Sequence, residues 1–202
     1  MSSPVVYRTI REQIVEQLRN EVLSGELPEG QSLREQKLAA RFGVSRGPIR
    51  DALLQLSQEG LLIAEPNRGV RVSGGPSLAI QPLVVETRRR IERFALETIF
   101  ESLEPSDVRR LDEILAQFKA ACEKGEMKEV VERDLALHRW IVERAGDADL
   151  TAMWLQVIVR MRLRYTRHKT LLEAYREHKK IVDAVRRRDK AAAVAALEAN
   201  VV

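Results

Sequence analysis

The chain has 202 residues, 45% of them hydrophobic, with 34 Lys and Arg against 30 Asp and Glu for a formal net charge of +4, and a single cysteine. That length suits one large or two small domains; the lone Cys122 excludes an internal disulfide, and the lack of a long apolar run excludes a bilayer-spanning helix. The small positive charge is compatible with nucleic acid without establishing it, because acidic and basic residues are mixed throughout.

The opening Met1-Ser-Ser-Pro lacks the charged-then-apolar order of a secretory signal, so a soluble cytoplasmic protein with no membrane partner is expected. Tyr7 to Leu23 reads as a first helix, because Ile10, Ile14, Leu18 and Val22 recur every fourth residue with Arg and Glu between them. Gly25 to Gly30 breaks it, and Leu33 with Leu38 leads into a second helix. Arg34 and Arg41 flank that helix and either touch a phosphate backbone or face solvent.

Gly43 follows Leu38 and Phe42 and can take the left-handed conformation that ends a helix without steric cost. Val44 plugs the gap between the two helices. Ser45 is an N-cap whose hydroxyl is expected to accept from an amide of the next helix, and Pro48 fits only early in that helix. Ile49, Leu53 and Leu56 define a buried face, while Arg46 and Arg50, four apart, share another. A small first turn with Ser45 and Gly47, followed by long cations, suits a helix whose N-terminal end enters a major groove, its arginines reaching guanine edges or phosphates. The alternative is a plain helical hairpin with a solvated basic face. Glu59-Gly60 then stops the helix, Leu61 to Glu65 is strand-like, Pro66-Asn67-Arg68-Gly69 is a turn, and Val70-Arg71-Val72 returns as a strand, which together make a wing.

The run Gly43-Val-Ser-Arg-Gly-Pro-Ile-Arg-Asp-Ala-Leu53, followed by Leu56, Glu59-Gly60-Leu61 and Arg68-Gly69-Val70, strongly resembles the winged-helix domain of the GntR family of bacterial transcription regulators, over about Ile10 to Ser73. The resemblance implies that Arg34, Ser45, Arg46, Gly47, Pro48 and Arg50 lie against double-stranded operator DNA, with Asn67, Arg68 and Gly69 at the wing tip. One winged helix covers one half-site, so reading a palindrome requires a two-fold homodimer.

Ser73-Gly-Gly-Pro-Ser77 combines Gly, Pro and Ser at a density found nowhere else in the chain. The expected organisation is a DNA-binding domain at 1–73, a linker at 74–82 and an all-helical effector-binding and dimerisation domain at 83–202. Apolar residues at helical spacing mark about six helices after the linker, with short breaks at Glu104-Pro-Ser, Gly125, Gly146-Asp-Ala-Asp and Arg188-Asp189 that imply an antiparallel bundle. The fold class is therefore mainly α, a winged helix-turn-helix with a small β-hairpin wing followed by a helical bundle. Cys122 falls within a helical pattern, where a small buried or half-buried role is expected.

Asp134 and His138 lie one helical turn apart and can point at the same spot. His178 sits ten residues before Arg188 and Asn200 eleven after Asp189. If those two residues form the bend of a helical hairpin, His178 and Asn200 lie side by side, each roughly 15 Å from the turn. Asp, His and His with an amide oxygen nearby suit a divalent first-row cation such as zinc, nickel or manganese; an ordinary contact between carboxylate and imidazole is the alternative.

Glu86-Thr-Arg88 with Glu92, then Asp134-Leu-Ala-Leu-His138, then Glu177-His178-Lys-Lys-Ile181-Val-Asp-Ala184 and the Asp189 bend resemble the FadR C-terminal (FCD) ligand-binding domain from Leu83 to the last residue. The resemblance implies metal ligands at Asp134, His138 and His178 and a fourth at Asn200, where metal-binding members carry histidine. An amide oxygen is the weaker ligand, so affinity falls, water fills the position, or the metal is lost. The resemblance also turns Arg88 toward the pocket, where a guanidinium can bind the carboxylate of a small organic acid. Arg89 and Arg90 are expected to face solvent, as is His168. Arg160, Arg164 and Arg167 form a stripe that either extends a basic pocket or is solvated. The two resemblances together imply a DNA-binding regulator, by default a repressor, whose operator affinity answers to that acid. Its rivals are a regulator with a vestigial pocket and a metal-dependent hydrolase or lyase, the latter lacking His-Glu-x-x-His.

Overall fold

The computed structural model describes residues 9–65, 69–162 and 170–201. Among these the chain is mainly helical with one small sheet, and it divides into two compact units, Met1–Ser77 with Val159–Tyr165 and Leu78–Ile158 with Thr166–Val202.

In the first unit, α1 (Ile10–Ser24) opens with a capping box: the Thr9 hydroxyl accepts from the Glu12 amide, and the Glu12 carboxylate accepts from the Thr9 amide at 2.7 Å. Ile14, Leu18 and Val22 are buried, but Ile10 is 58% exposed, so the apolar stripe starts one turn later than its spacing predicts. Helix α2 (Glu35–Phe42) ends at Gly43, whose φ of +66° is the left-handed conformation its position requires. Helix α3 (Arg46–Gln58) starts after Ser45, which has the extended backbone of an N-cap but makes no side-chain capping bond. Part of the reason is local. Pro48 occupies the third helical position and has no N–H, which removes one of the two amides an N-cap hydroxyl accepts from.

Ile49, Ala52, Leu53 and Leu56 of α3 pack with α1 and with Leu61, Leu62 and Val72 in one core. The expected hairpin is a three-stranded antiparallel sheet, in the order β1 (Ser32–Leu33), β3 (Gly69–Val72), β2 (Leu62–Glu65). Ser32 pairs with Arg71 on one side of β3, and Leu62 with Val72 on the other. A two-residue strand is too short to show alternation in a sequence.

The second unit holds α4 (Gln81–Ile99) with a 3-10 turn at Phe100–Ser102, α5 (Pro105–Lys124), α6 (Met127–Arg144), α7 (Ala148–Arg162), α8 (Leu171–Arg186) and α9 (Lys190–Asn200). Helix α4 starts two residues inside the expected linker, with Pro82 in its first turn. The last residues of α7, from Val159, group with the first unit. Its core includes Leu96, Phe100, Leu137, Ile141, Trp154, Ile181 and Leu197. Cys122 is half-buried. Among the described residues no helix is long and apolar enough to cross a membrane.

The bend between α8 and α9 falls at Arg188-Asp189. Arg188 has a φ of +58°, a left-handed conformation costly for a side chain with a Cβ. Its guanidinium donates to the carbonyls of Leu103 at 2.5 Å and Phe100 at 3.4 Å, anchoring the bend. Asp189 caps α9 by accepting from the Ala192 amide at 2.9 Å. Asp189→Ala is expected to lower stability by about 1 kcal/mol, the usual worth of an N-cap. Chemical denaturation checks it; an unchanged midpoint would show that water replaces the cap.

Candidate nucleic-acid interface and metal centre

Helix α3 presents Arg46, Gly47 and Arg50 to solvent, with Pro48 half-buried behind them. Ser45 and Arg34 are exposed at the starts of α3 and α2, and Gly69 is exposed where β3 begins, while Asn67 and Arg68 lie outside the described residues. A groove of about 910 Å³ runs past Arg34, Lys37, Arg46, Arg50 and Leu54. Arg41 is engaged elsewhere. It pairs with Glu21 through both terminal nitrogens, one at 2.8 Å, and its guanidinium lies over the Phe42 ring at 5.1 Å. The Arg41 hydrogen bonds hold the Glu21 carboxyl below its ordinary range against the opposing pull of burial.

The two exposed arginines of α3 share one acid, Glu35, at the start of α2. Arg46 Nη2 donates to Glu35 Oε2 at 2.8 Å, while Arg50 donates from Nε to Oε1 at 3.2 Å and from Nη2 to Oε2 at 3.3 Å. Hydrogen bonds from Arg50, then from Arg46, lower the Glu35 carboxyl. No local spacing announces this triad, since the partners are 11 and 15 residues apart.

In the second unit, Asp134 and His138 project from α6 and His178 from α8, all buried, with ligand-type atoms within 4.8 Å of one another. The hydrogen bonds fix the tautomers. His138 Nδ1 is 2.7 Å from Glu92 Oε2, and the ionised carboxylate can only accept, so Nδ1 carries the proton. His178 Nδ1 is 2.9 Å from the Ala174 carbonyl, with the same consequence. The two Nε2 atoms, left with lone pairs, face each other at 3.2 Å. Asp134 Oδ1 lies 3.5 Å and the Asp134 carbonyl 3.3 Å from His178 Nε2. Converging lone pairs repel unless a positive charge sits among them, so the donor set fits a divalent cation. The contacts behind it, a carboxylate and a carbonyl orienting two imidazoles, are those that metal-ligating histidines use. Asn200 does reach His178, as its distance from the bend predicts, but its amide nitrogen is 3.3 Å from Nδ1, the edge away from Asp134 and His138.

Glu92 is the residue whose role the sequence does not reveal. It is fully buried and accepts three hydrogen bonds: Oε1 from Arg88 Nε and Trp154 Nε1, each at 2.7 Å, and Oε2 from His138. Burial pushes its carboxyl up, but the Arg88 charge and the hydrogen bonds from His138 and Arg88 outweigh that and hold it at about 2. Arg88 is buried on the same side, and its Nη2 has no hydrogen-bond partner among the described residues. Arg89, expected in solvent, instead donates to the Glu198 and Val201 carbonyls at 3.2 and 2.8 Å and closes the end of α9, whereas Arg90 is exposed. Of the Arg160 stripe, Arg164 and Arg167 lie outside the described residues, as does His168.

The models of two families match the chain: "Bacterial regulatory proteins, gntR family" at residues 10–72 and "FCD domain" at residues 83–201. The uncharacterized HTH-type transcriptional regulator YdhC of Bacillus subtilis is 26% identical over 187 residues, 90% of this chain and 83% of that protein. The gluconate operon transcriptional repressor of Bacillus licheniformis is 28% identical over 169 residues, 83% of this chain and 69% of that protein. The solved structure of E. coli McbR/YncC has the same fold, with a TM-score of 0.83 at 24% identity over 96% of this chain and 94% of that one. These relatives are transcription regulators and not enzymes, which removes the hydrolase or lyase reading. With a winged-helix unit matched at one end and an FCD domain over more than half its length, the chain belongs to the FCD-containing, FadR-like branch of the GntR family of bacterial regulators.

Proposed function

We propose that the protein is a cytoplasmic repressor that grips a palindromic operator as a homodimer and releases it when a small carboxylate metabolite binds beside a divalent cation in the helical unit. The observation that carries the sensing half is the convergence of Asp134, His138 and His178, linked through Glu92 to Arg88, whose buried Nη2 lacks a partner among the described residues. Those three side chains would hold zinc, nickel or manganese. The cation would supply open positions for the metabolite's oxygens while Arg88 takes another. Asn200 sits at the outer edge of His178 in this reading rather than completing the ligand set, and the Ala174 carbonyl orients that ring. The domains are a reader at 1–73, a linker at 74–82 shortened by the early start of α4, and a sensor at 83–202. Self-association is supported by Leu83 and Phe94 on α4, 67% and 59% exposed and three helical turns apart on one face.

On the reader, Arg46 and Arg50 would take guanine edges in the major groove, Gly47 and Pro48 would allow close approach, and Arg34, Ser45 and the wing residues Asn67, Arg68 and Gly69 would contact the backbone. Arg50→Ala is expected to weaken binding to the preferred duplex by about 1 to 3 kcal/mol, roughly 5- to 150-fold, by fluorescence anisotropy. Unchanged affinity would remove Arg50 from the contacts. Coupling between metabolite and operator would be on the order of 1 to 3 kcal/mol. A thermal-shift panel of organic acids on metal-loaded protein tests the sensor, and a response to none of them favours a regulator with a vestigial pocket.

A further inference from the structure

We infer that Glu35 is a positioning residue for sequence reading: by clamping Arg46 and Arg50 together, it presents fixed guanidinium edges to base pairs and withholds them from phosphates. The inference rests on the proposal that α3 reads DNA. A guanidinium carries five N–H donors in a rigid planar fork. Arg50 uses Nε and one Nη2 hydrogen on Glu35, so the hydrogens of its far end, on Nη1 and Nη2, are left for another acceptor. That end-on pair matches the O6 and N7 acceptors of guanine. Arg46 uses one Nη2 hydrogen on the same carboxylate and is held beside it.

The clamp acts in two ways. The side chains of Arg46 and Arg50, 63% and 66% exposed, would otherwise sample many rotamers, and fixing them beforehand moves that entropy loss out of the binding step. The carboxylate also offsets one of the two positive charges that α3 turns outward, which weakens the sequence-independent attraction to phosphates. Glu35 is itself well placed to stay ionised. It is the first residue of α2, where the helix dipole favours an anion. Stability is a poor explanation for the arrangement, because ion pairs this exposed contribute little to folding.

The test compares Glu35→Gln with the wild-type full chain, using a duplex enriched by the wild type from a randomised pool and a scrambled duplex of the same composition, each titrated over a salt series. Glu35→Gln is expected to reduce the selected-over-scrambled affinity ratio about tenfold, to bind the scrambled duplex more tightly, and to steepen the salt dependence by about 0.9, one extra phosphate contact. On an Arg50→Ala background the same change should alter the ratio by less than about threefold, since half the clamp is already gone. A ratio within about twofold of wild type in Glu35→Gln, or an undiminished effect on the Arg50→Ala background, overturns the inference while leaving the DNA-reader proposal intact. A wild-type chain that enriches no duplex overturns both.

Discussion

Glu92→Gln is expected to destabilise the helical unit by about 3 to 5 kcal/mol, the cost of leaving a buried charge without its partner. For a unit of this size, that lowers the thermal midpoint by about 10 to 20 °C. The substitution is nearly isosteric, so the loss comes from chemistry and not from a cavity. Three donors, from Arg88, Trp154 and His138, point at the two carboxylate oxygens. A glutamine offers one oxygen and must turn its NH2 toward at least one donor, while Arg88 keeps its charge in the interior.

The pH dependence adds a signed check. The Glu92 carboxyl is held at about 2 instead of its ordinary 4.5, so ionisation contributes stability that is complete above pH 4.5 and is lost as pH falls toward 2. The gap between wild type and Glu92→Gln should therefore be full at neutral pH and narrow below 4.5. Equal midpoints at neutral pH, or a gap that does not change on acidification, would contradict the network described for this residue.

The second large effect concerns the cation. At a free concentration about 1,000-fold above its dissociation constant, a ligand bound only by the folded state stabilises by about 4 kcal/mol. Removing it from the Asp134, His138 and His178 centre with a chelator should lower the thermal midpoint by about 10 to 15 °C. Readdition of zinc, nickel or manganese should restore it. His178→Ala should abolish the response, because that ring meets both other donors. Elemental analysis that finds no divalent metal, together with a midpoint indifferent to chelator and added cation, would remove the metal from the proposal.

Local chemistry makes the first unit readable. Gly43 ends α2, Pro48 sits early in α3, and Ile49, Leu53 and Leu56 face the core, all within a span where spacing determines geometry. The capping bond expected of Ser45 is absent, and the proline three residues on removes one of the two amides that could have supplied it. The pairing of Asp134 with His138 is legible in the single turn between them, and that of His178 with Asn200 in their equal distances from a bend, but only the fold brings His178 to the other two. Glu92 and Glu35 are not legible, since each acquires meaning only from partners brought in by the fold. Glu92 meets His138 and Trp154, 46 and 62 residues away. Arg89 shows the same limit: a cation flanked by other cations reads as surface, and only the end of α9, more than 100 residues later, gives it carbonyls to close.

The Arg188 bend sets a counting rule for the helical unit. Loops at a protein surface ordinarily absorb added or deleted residues, because nothing downstream depends on their length. Here Arg187 and Asp189 already cap the two helices, and a residue inserted between Arg188 and Asp189, where it is taken up as one more helical residue, would rotate everything after it by about 100°. Asn200 would swing off the edge of His178, and the carbonyls that Arg89 closes would swing with it. Length at this one turn is thus under the same constraint as the identity of a buried side chain.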